Sequence, residues 1–209
     1  KSVSTGEIIV VDDGSTDNTF SRLKEIQKND SRIRLFKHAS RKGLGAALLS
    51  GYNQSAGEFI TWLPADGQIY PSELNKLLNE IGKYDFVTAT YVKRYDVLRR
   101  RFVSRMWRGL MRLIIGYDFD FNGNYMFKRE FLKDLYLKAT TGLMNFELIH
   151  KASLKGYTVK NVYISCSLRT SGESKVWNPQ TVVKIFWEML MIRFSNRRNE
   201  KDDRQGGRD

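Results

Sequence analysis

Apolar and polar positions alternate in blocks along the first half of the chain, and the blocks predict strands and helices in turn. Short runs of β-favouring residues predict strands at 7–11, 32–36, 58–63 and 85–89. Helical periodicity between them predicts helices beginning near Phe20 and covering 45–56 and 72–81. Strands that alternate with helices indicate βαβ units, so we expect an α/β fold with a mostly parallel sheet flanked by helices.

The second half of the chain changes character, with longer helical stretches. Helices are predicted at 96–115, 146–154 and 179–194, and short strands at 123–127 and 157–164. The last helix has a capping residue in Asn178 and a proline at its first position, Pro179. Residues 195–209 are charged and contain glycine, so we expect a disordered tail.

An acidic turn follows the first predicted strand. It reads Asp12-Asp13-Gly14-Ser15 and lies at the carboxyl end of the strand, where open α/β sheets bind ligands. Residues 16–19 carry side-chain oxygens that can cap the next helix. The same residue types occur in ordinary β-to-α turns, so the turn by itself leaves both interpretations open.

Two further turns carry candidate chemistry. A basic, glycine-rich turn, Arg41-Lys42-Gly43-Leu44-Gly45, opens the second helix, and its cationic side chains and helix start favour a nearby anion. The sequence Pro64-Ala65-Asp66-Gly67-Gln68 follows the strand at 58–63. An ordinary proline-glycine turn with one aspartate is the alternative for this segment.

Taken together and in this order, the three turns resemble the nucleotide-sugar-binding half of family-2 glycosyltransferases of the GT-A fold. The resemblance implies that the donor sugar nucleotide is bound by Asp12, Asp13, Gly14, Ser15, Lys42, Gly43 and Asp66. It also implies that Asp66, with Gln68, holds Mg²⁺ or Mn²⁺. Family members that act on polyprenyl phosphates often have aspartate where this chain has Pro64, and this difference weakens the expected metal site.

Two downstream segments extend the resemblance to dolichyl- and undecaprenyl-phosphate glycosyltransferases. In 118–129 an aspartate precedes a glycine and an apolar strand, and Asp120 is the best match, with Asp118 second. The segment from Arg169 to Lys175 matches an Arg-x-x-Gly-x-Ser-Lys loop. The resemblance implies catalytic roles for Asp66, Asp120, Arg169 and Lys175. As ligands of the acceptor phosphate it implies Arg94, Arg101 and Ser174.

Charge and amphipathic pattern point to a polyanionic partner. The 209 residues include 35 Lys and Arg against 23 Asp and Glu, a net charge of +12. Arginines recur at helical spacing at 101, 105, 108 and 112 beside an apolar stripe at 98, 102, 106, 110 and 113. This helix either lies in a membrane interface or packs its apolar stripe on the sheet. We do not expect nucleic-acid binding, because the acidic turns would repel phosphates and no recognition module is present.

The length fits one domain with appendages. We expect a GT-A domain over 1–178 that lacks its N-terminal strand, an amphipathic juxtamembrane helix over 179–194, and the tail. No run of 18 apolar residues occurs. A single cysteine, Cys166, excludes an internal disulfide and suits a reducing compartment.

The resemblance therefore predicts an inverting glycosyltransferase, peripheral on the cytoplasmic face of a membrane. It would move a sugar from a UDP- or GDP-sugar to a polyprenyl phosphate. Two alternatives stay open: a glycosyltransferase whose acceptor is a sugar hydroxyl, with Asp120 as general base, and a nucleotide-sugar-binding or lipid-binding protein that has lost turnover, which Pro64 and the missing strand motivate.

Overall fold

A computed structural model describes residues 6–92, 98–116, 124–133, 135–167 and 182–194, with the backbone alone at 98–104, 108 and 115. Its strands are β1 (Ile8–Asp12), β2 (Ile33–Lys37), β3 (Phe59–Thr61), β4 (Phe86–Tyr91), β5 (Tyr125–Lys128) and β6 (Val159–Ile164). Its α-helices are α1 (Thr19–Asn29), α2 (Leu44–Gln54), α3 (Leu74–Leu78), α4 (Leu98–Ile115), α5 (Met144–Leu154) and α6 (182–194). Short 3₁₀ turns cover Pro71–Glu73 and Arg129–Lys133.

The predicted alternation of strands and helices is confirmed, with one helix shortened. The helix predicted over 72–81 is a 3₁₀ turn followed by the five-residue α3. It stops because the chain turns at Gly82, which has φ of 97°, and forms an isolated bridge between Ile81 and Tyr84. The 3₁₀ turn after β5 was not predicted.

The strands form two sheets. In the first, β1 pairs with β2 in parallel, and in the second the order is β3-β5-β4-β6. Parallel pairing holds for β4 with β6, as expected, whereas β5 runs antiparallel to both β3 and β4. The connection from β4 to β5, which contains α4, therefore begins and ends at the same edge of the sheet, the carboxyl edge of β3 and β4.

The helix α2 joins the two sheets. Gly51 packs beside β1, where an added Cβ would lie 3.6 Å from Val11 Cγ2. From the other side of the helix, the Tyr52 hydroxyl lies 2.5 Å from the hydroxyl of Tyr125 on β5. Past the carboxyl end of α2, the N–H groups of Ala56 and Gly57 donate to the carboxylate of Glu7, the residue before β1. The amino ends of β1 and β3 are therefore tied together.

The main core lies between the second sheet and the helices α4, α5 and α6. The rings of Phe86, Phe127 and Phe131 stack at centroid distances of 5.1 and 5.7 Å. Met189 and Ile192 of α6 are fully buried in the same cluster. The domain boundary at 178 stays a prediction, but α6 packs one side on the domain rather than lying apart from it.

The described helices include none with the length and apolar content that a bilayer crossing requires.

Candidate functional site

Three buried polar atoms at strand ends have no hydrogen-bond partner within the described ranges: Asp12 Oδ2, Trp62 Nε1 and Asn124 Oδ1. Asp12 ends β1 and Trp62 follows β3. Asn124 precedes β5, which runs antiparallel to β3, so it lies at the same edge as Trp62. A buried polar group without a hydrogen bond lowers stability by about 1–3 kcal/mol. A ligand that bonded to these atoms would recover that free energy, so these strand ends are favourable binding positions.

The acidic turn is held in a conformation that only glycine permits. Asp12 Oδ1 accepts the Ser15 N–H at 3.0 Å, and the nearest cation to Asp12 Oδ2 is Lys37 Nζ at 3.8 Å. Gly14 has φ of 76°, and an added Cβ would lie 2.7 Å from the Arg41 backbone nitrogen. The turn therefore packs directly against the basic turn, and one carboxylate oxygen of Asp12 stays without a hydrogen bond.

Asp13 is engaged inside the protein. Its Oδ1 accepts Lys42 N–H at 2.9 Å and its Oδ2 accepts Gly43 N–H at 2.8 Å. His38 Nδ1 lies 2.8 Å from Oδ1, and His38 Nε2 lies 2.9 Å from Ser50 Oγ on α2. Burial alone would raise the pKa of Asp13, but these hydrogen bonds outweigh it and hold the pKa below its ordinary value of 3.8. Asp13 thus joins the acidic turn to the basic turn.

This lowered pKa predicts an acid-dependent stability term. A carboxyl whose pKa is lower in the folded protein stabilises it above the unfolded pKa, and this stabilisation is lost as the pH falls through the folded value. We expect Asp13→Asn to lower the free energy of unfolding at neutral pH, and the difference from wild type to shrink below about pH 4. Urea unfolding of both proteins across pH measures this. A difference that is independent of pH would contradict it.

The start of α2 is capped by protein atoms. Gly43, the N-cap residue, has φ of 102°. In the first turn of the helix, the N–H groups of Gly45 and Ala46 donate to the Thr140 carbonyl at 2.9 and 3.3 Å. An anion at this turn would therefore interact with the exposed Lys42 side chain rather than with these N–H groups.

The turn that contains Asp66 is hydrogen-bonded to Ser167, which lies just after β6. Asp66 is half-buried, and its Oδ1 accepts the Gln68 N–H at 3.2 Å. Ser167 N–H donates to the Gln68 carbonyl at 2.8 Å, and Gln68 Nε2 donates to the Ser167 carbonyl at 3.4 Å. The segment that begins at Arg169 therefore starts two residues from a point fixed beside Asp66.

The oxygen atoms of this turn suit a hard divalent cation only in part. Within the described ranges, no group of three or more His, Cys, Asp or Glu side chains could hold a metal ion. Asp66 offers one carboxylate and Gln68 one amide oxygen. Mg²⁺ is commonly held by one or two carboxylates together with substrate phosphates. The residues present fit a metal that is shared with a diphosphate, and Pro64 adds no ligand.

Several predicted site residues lie outside the described part of the chain: Arg94, Asp118, Asp120, Arg169, Ser174 and Lys175. Arg101 lies on α4, where the backbone alone is described. Asn124 follows the segment containing Asp120 directly, and its Nδ2 donates to the Trp62 carbonyl. The first described residue after that segment is therefore hydrogen-bonded to Trp62, which directly follows β3 and precedes Asp66 by four positions.

The sequence model of glycosyl transferase family 2 matches residues 4–150. The chain belongs to this family. It is 28% identical over 182 residues to dolichol-phosphate mannosyltransferase of Mycosarcoma maydis, covering 81% of this chain and 61% of that protein. It is 29% identical over 184 residues to polyprenol monophosphomannose synthase of Mycolicibacterium smegmatis, covering 81% and 69%. The chain thus spans less than two thirds of the first relative.

Solved structures show that this family-2 chain has the GT-A fold. Glucosyl-3-phosphoglycerate synthase of Mycobacterium tuberculosis, in complex with phosphoglyceric acid, superposes with a TM-score of 0.66 at 20% identity, over 90% of this chain and 69% of that one. The same protein in complex with Mn²⁺, UDP and glucosyl-3-phosphoglycerate superposes with a TM-score of 0.62 at 20% identity, over 88% and 68%.

The structure adds residues to the site region of this glycosyltransferase-family chain that the sequence analysis missed. His38 contacts Asp13 across 25 positions. The buried Glu188 holds Thr140 and Thr141, and the Thr140 carbonyl caps α2. The buried Glu147 holds Lys138 and Ala139, which precede them. No local pattern marks the contacts of His38 and Glu188, because their partners lie 25 and 47 to 48 positions away in the chain. Only the unusual position of Glu188 within an apolar helical run offered a signal.

Proposed function

We propose that this protein transfers a sugar from a UDP- or GDP-sugar to a polyprenyl phosphate at a membrane surface, with inversion at the anomeric carbon. The observation that carries the proposal is the buried Asp12 oxygen that has no hydrogen-bond partner within the described ranges, in a turn whose second aspartate is already engaged. The named relatives act on dolichol and polyprenol phosphates.

The two aspartates have different roles in this proposal. Asp12 accepts a hydrogen bond from a ring N–H of the base, which uracil and guanine both offer. Asp13 shapes the pocket by holding Lys42 and Gly43 in place, and Gly14 and Ser15 form its wall. The Lys42 side chain then neutralises part of the donor's diphosphate charge.

Asp66 and Gln68 would hold Mg²⁺ or Mn²⁺ together with the diphosphate. An ion held there would supply positive charge against the negative charge that develops on the departing nucleoside diphosphate. The structural neighbour with UDP also contains Mn²⁺, which supports a divalent metal here. Ser167, whose N–H donates to the Gln68 carbonyl of the Asp66 turn, comes two positions before Arg169 in the chain, and we assign Arg169 and Lys175 to the same diphosphate.

The acceptor phosphate is already ionised at neutral pH and needs no general base. One of its oxygens attacks the anomeric carbon, a new C–O bond forms, and the bond to the diphosphate oxygen breaks with its electron pair leaving on the nucleoside diphosphate. Arg94, Arg101 and Ser174 would orient the acceptor phosphate, and Asp120 would position donor or acceptor.

The lipid side of the proposal rests on an exposed apolar face formed by α4 and α6, here called the α4–α6 face. Leu113 is 78% exposed and Trp187 is 64% exposed. Between the two helices runs a groove of about 560 Å³, lined by Met106, Leu110, Leu113, Val182, Val183 and Phe186, among others. The exposed Arg105 and Arg112 lie on the same helix as Leu113. An apolar face flanked by cations is typical of a helix pair that lies on anionic lipid.

Polar replacement on this face should release the protein from membranes. Full burial of one large apolar side chain contributes about 1.5–3 kcal/mol, so we expect the pair Leu113→Ser and Trp187→Ser to lower partitioning onto phosphatidylglycerol vesicles by at least about tenfold. Vesicle co-sedimentation measures it. Tyr163→Ser, which changes a 63% exposed aromatic residue on β6, is the matched control. Equal loss in both variants would contradict the assignment of the α4–α6 face.

A donor screen tests the proposal itself. Thermal unfolding with UDP- and GDP-sugars, with and without Mn²⁺, should reveal one nucleotide that stabilises the protein selectively. A ligand at a hundred times its Kd adds about 2.7 kcal/mol to the free energy of unfolding. Failure of every nucleotide to stabilise the protein would count against a sugar-nucleotide site, and binding without transfer would favour a protein that has lost turnover.

A further inference from the structure

Glu188 occupies an unusual place on α6. The residue is 3% exposed although its helix presents several exposed apolar side chains. Its Oε1 accepts the N–H and the hydroxyl of Thr140 at 2.9 and 3.0 Å. Its Oε2 accepts the hydroxyl of Thr141 at 2.5 Å and its N–H at 3.4 Å. Four donors therefore converge on one buried carboxylate.

A carboxylate is a costly way to pack a helix. Removing it from water costs several kcal/mol, which its hydrogen bonds must offset, and an apolar residue of similar size would often pack as stably. A buried and fully bonded polar group does, however, fix one geometry. The geometry that Glu188 fixes is that of Thr140 and Thr141.

Thr140 in turn fixes the start of α2. Its carbonyl accepts the N–H groups of Gly45 and Ala46. The approach is close, because a Cβ added at Gly45 would lie 2.5 Å from the Thr141 carbonyl oxygen. The atoms are in close contact, so a displacement of Thr140 or Thr141 would also displace the first turn of α2.

The first turn of α2 carries the basic turn. The N–H groups of Lys42 and Gly43 donate to Asp13, the residue beside Asp12. A path of contacts thus runs by hydrogen bonds from Glu188 through Thr140 to Gly45, along the backbone from Gly45 to Gly43, and by a hydrogen bond from Gly43 to Asp13. Its two ends are the helix of the α4–α6 face and the acidic turn.

We propose that Glu188 is a positioning residue for the donor site, and that it acts through Thr140 and the start of α2 on the turn that contains Lys42 and Gly43. The inference rests on the proposed function, since it assigns this turn to the sugar nucleotide. Glu188 contacts neither donor nor metal in this assignment. Its replacement should weaken donor binding with little effect on the rate at saturating donor.

The test compares Glu188→Gln and Glu188→Ala with a matched control, Glu147→Gln. Glu147 is also fully buried, and it accepts the N–H groups of Lys138 and Ala139 in the same segment and pairs with Lys151 at 2.7 Å. The structure gives it no bond to Thr140 or Thr141 among the described contacts. Both glutamates should matter for stability, whereas Glu188 alone should matter for the donor site.

Two readouts separate positioning from general stability. Amide hydrogen exchange should speed up at Gly45 and Ala46 in both Glu188 variants, with α5 as protected as in wild type. The KM for the sugar nucleotide that the donor screen selects should rise by about tenfold, with kcat nearly unchanged. Glu188→Gln keeps one oxygen acceptor and the side-chain volume. If Glu188→Ala does not fold, amide exchange and KM can therefore still be measured in Glu188→Gln.

The outcomes are distinct. Wild-type exchange at Gly45 and Ala46 together with wild-type KM in Glu188→Gln would overturn the inference. An equal rise of KM in Glu147→Gln would also overturn it, because the effect would then reflect stability. If wild type binds no sugar nucleotide, the proposed function fails, and the inference fails with it as a statement about the donor. The exchange readout would still decide whether Glu188 orders α2.

Discussion

Asp66→Asn is expected to lower sugar transfer by about a hundredfold or more while the protein keeps its fold. The substitution retains an oxygen that can accept the Gln68 N–H but removes the negative charge that would hold a divalent cation against the diphosphate. With Pro64 contributing no ligand, no second carboxylate of this turn can compensate. Loss of one group that stabilises the leaving charge typically costs about 10² to 10³ in rate.

Initial rates of transfer at saturating Mn²⁺ or Mg²⁺ measure the Asp66 effect, with circular dichroism as the check on folding. Asp30→Asn is the matched control, because Asp30 is an aspartate just before β2, at the amino end of that strand, paired with Arg32 at 2.7 Å. We expect that variant to transfer sugar at the wild-type rate. Undiminished transfer in Asp66→Asn would mean that the reaction proceeds without a metal held at this turn.

Asp12→Asn is expected to lower affinity for the sugar nucleotide and to leave stability nearly unchanged, whereas Asp13→Asn is expected mainly to lower stability. Asp12 Oδ2 is buried without a hydrogen bond and is paired only with Lys37 at 3.8 Å among the described residues, so removal of its charge should change the free energy of unfolding by no more than about 1 kcal/mol. Affinity for the sugar nucleotide should fall by about 10- to 100-fold, since a hydrogen bond between the base and a charged acceptor is lost.

Titration calorimetry with the nucleotide and urea unfolding without it measure the two effects of Asp12→Asn. The control is Asp13→Asn, for which the loss of stability should dominate, because three donors lose a charged acceptor. If Asp12→Asn destabilised the protein and left nucleotide affinity intact, Asp12 would be a structural residue and Asp13 the better candidate for the base.

Local sequence predicted the positions of the acidic, basic and Asp66 turns well. Strand ends are marked by short-range signals, namely a β-favouring run followed by Asp, Gly or Pro. In the described structure each of these turns lies at an end of a strand or helix, and the close contact of Gly14 with the basic turn explains its glycine. What the sequence could not separate was the role of two adjacent aspartates.

The difference between Asp12 and Asp13 depends on partners distant in the chain. His38, Lys42 and Gly43 reach Asp13 from 25 to 30 positions away, and none of them reaches Asp12 Oδ2. The direction of β5 was also hidden, because it is set by where the α4 connection returns to the sheet rather than by the strand's own residues.

The two amphipathic helices illustrate the same limit. For the first helix the apolar stripe left membrane docking and core packing both open, and the second was expected beside a membrane. In the structure each helix has a buried and an exposed apolar side. Met111, Met189 and Ile192 are buried in the core, while Leu113, Val183 and Trp187 are exposed. Periodicity identified the helices, but only the tertiary arrangement divides each apolar set into an inner and an outer face.

Transfer of labelled sugar from the donor that the thermal screen selects tests the central claim most directly. The protein is incubated with Mn²⁺ and that donor, and with either a polyprenyl phosphate in detergent or a mixture of soluble glycans. We predict label in the lipid phosphate alone, and none when Asp66→Asn replaces wild type. Label in the soluble glycans alone, or in neither acceptor, would contradict the proposed polyprenyl-phosphate glycosyltransferase.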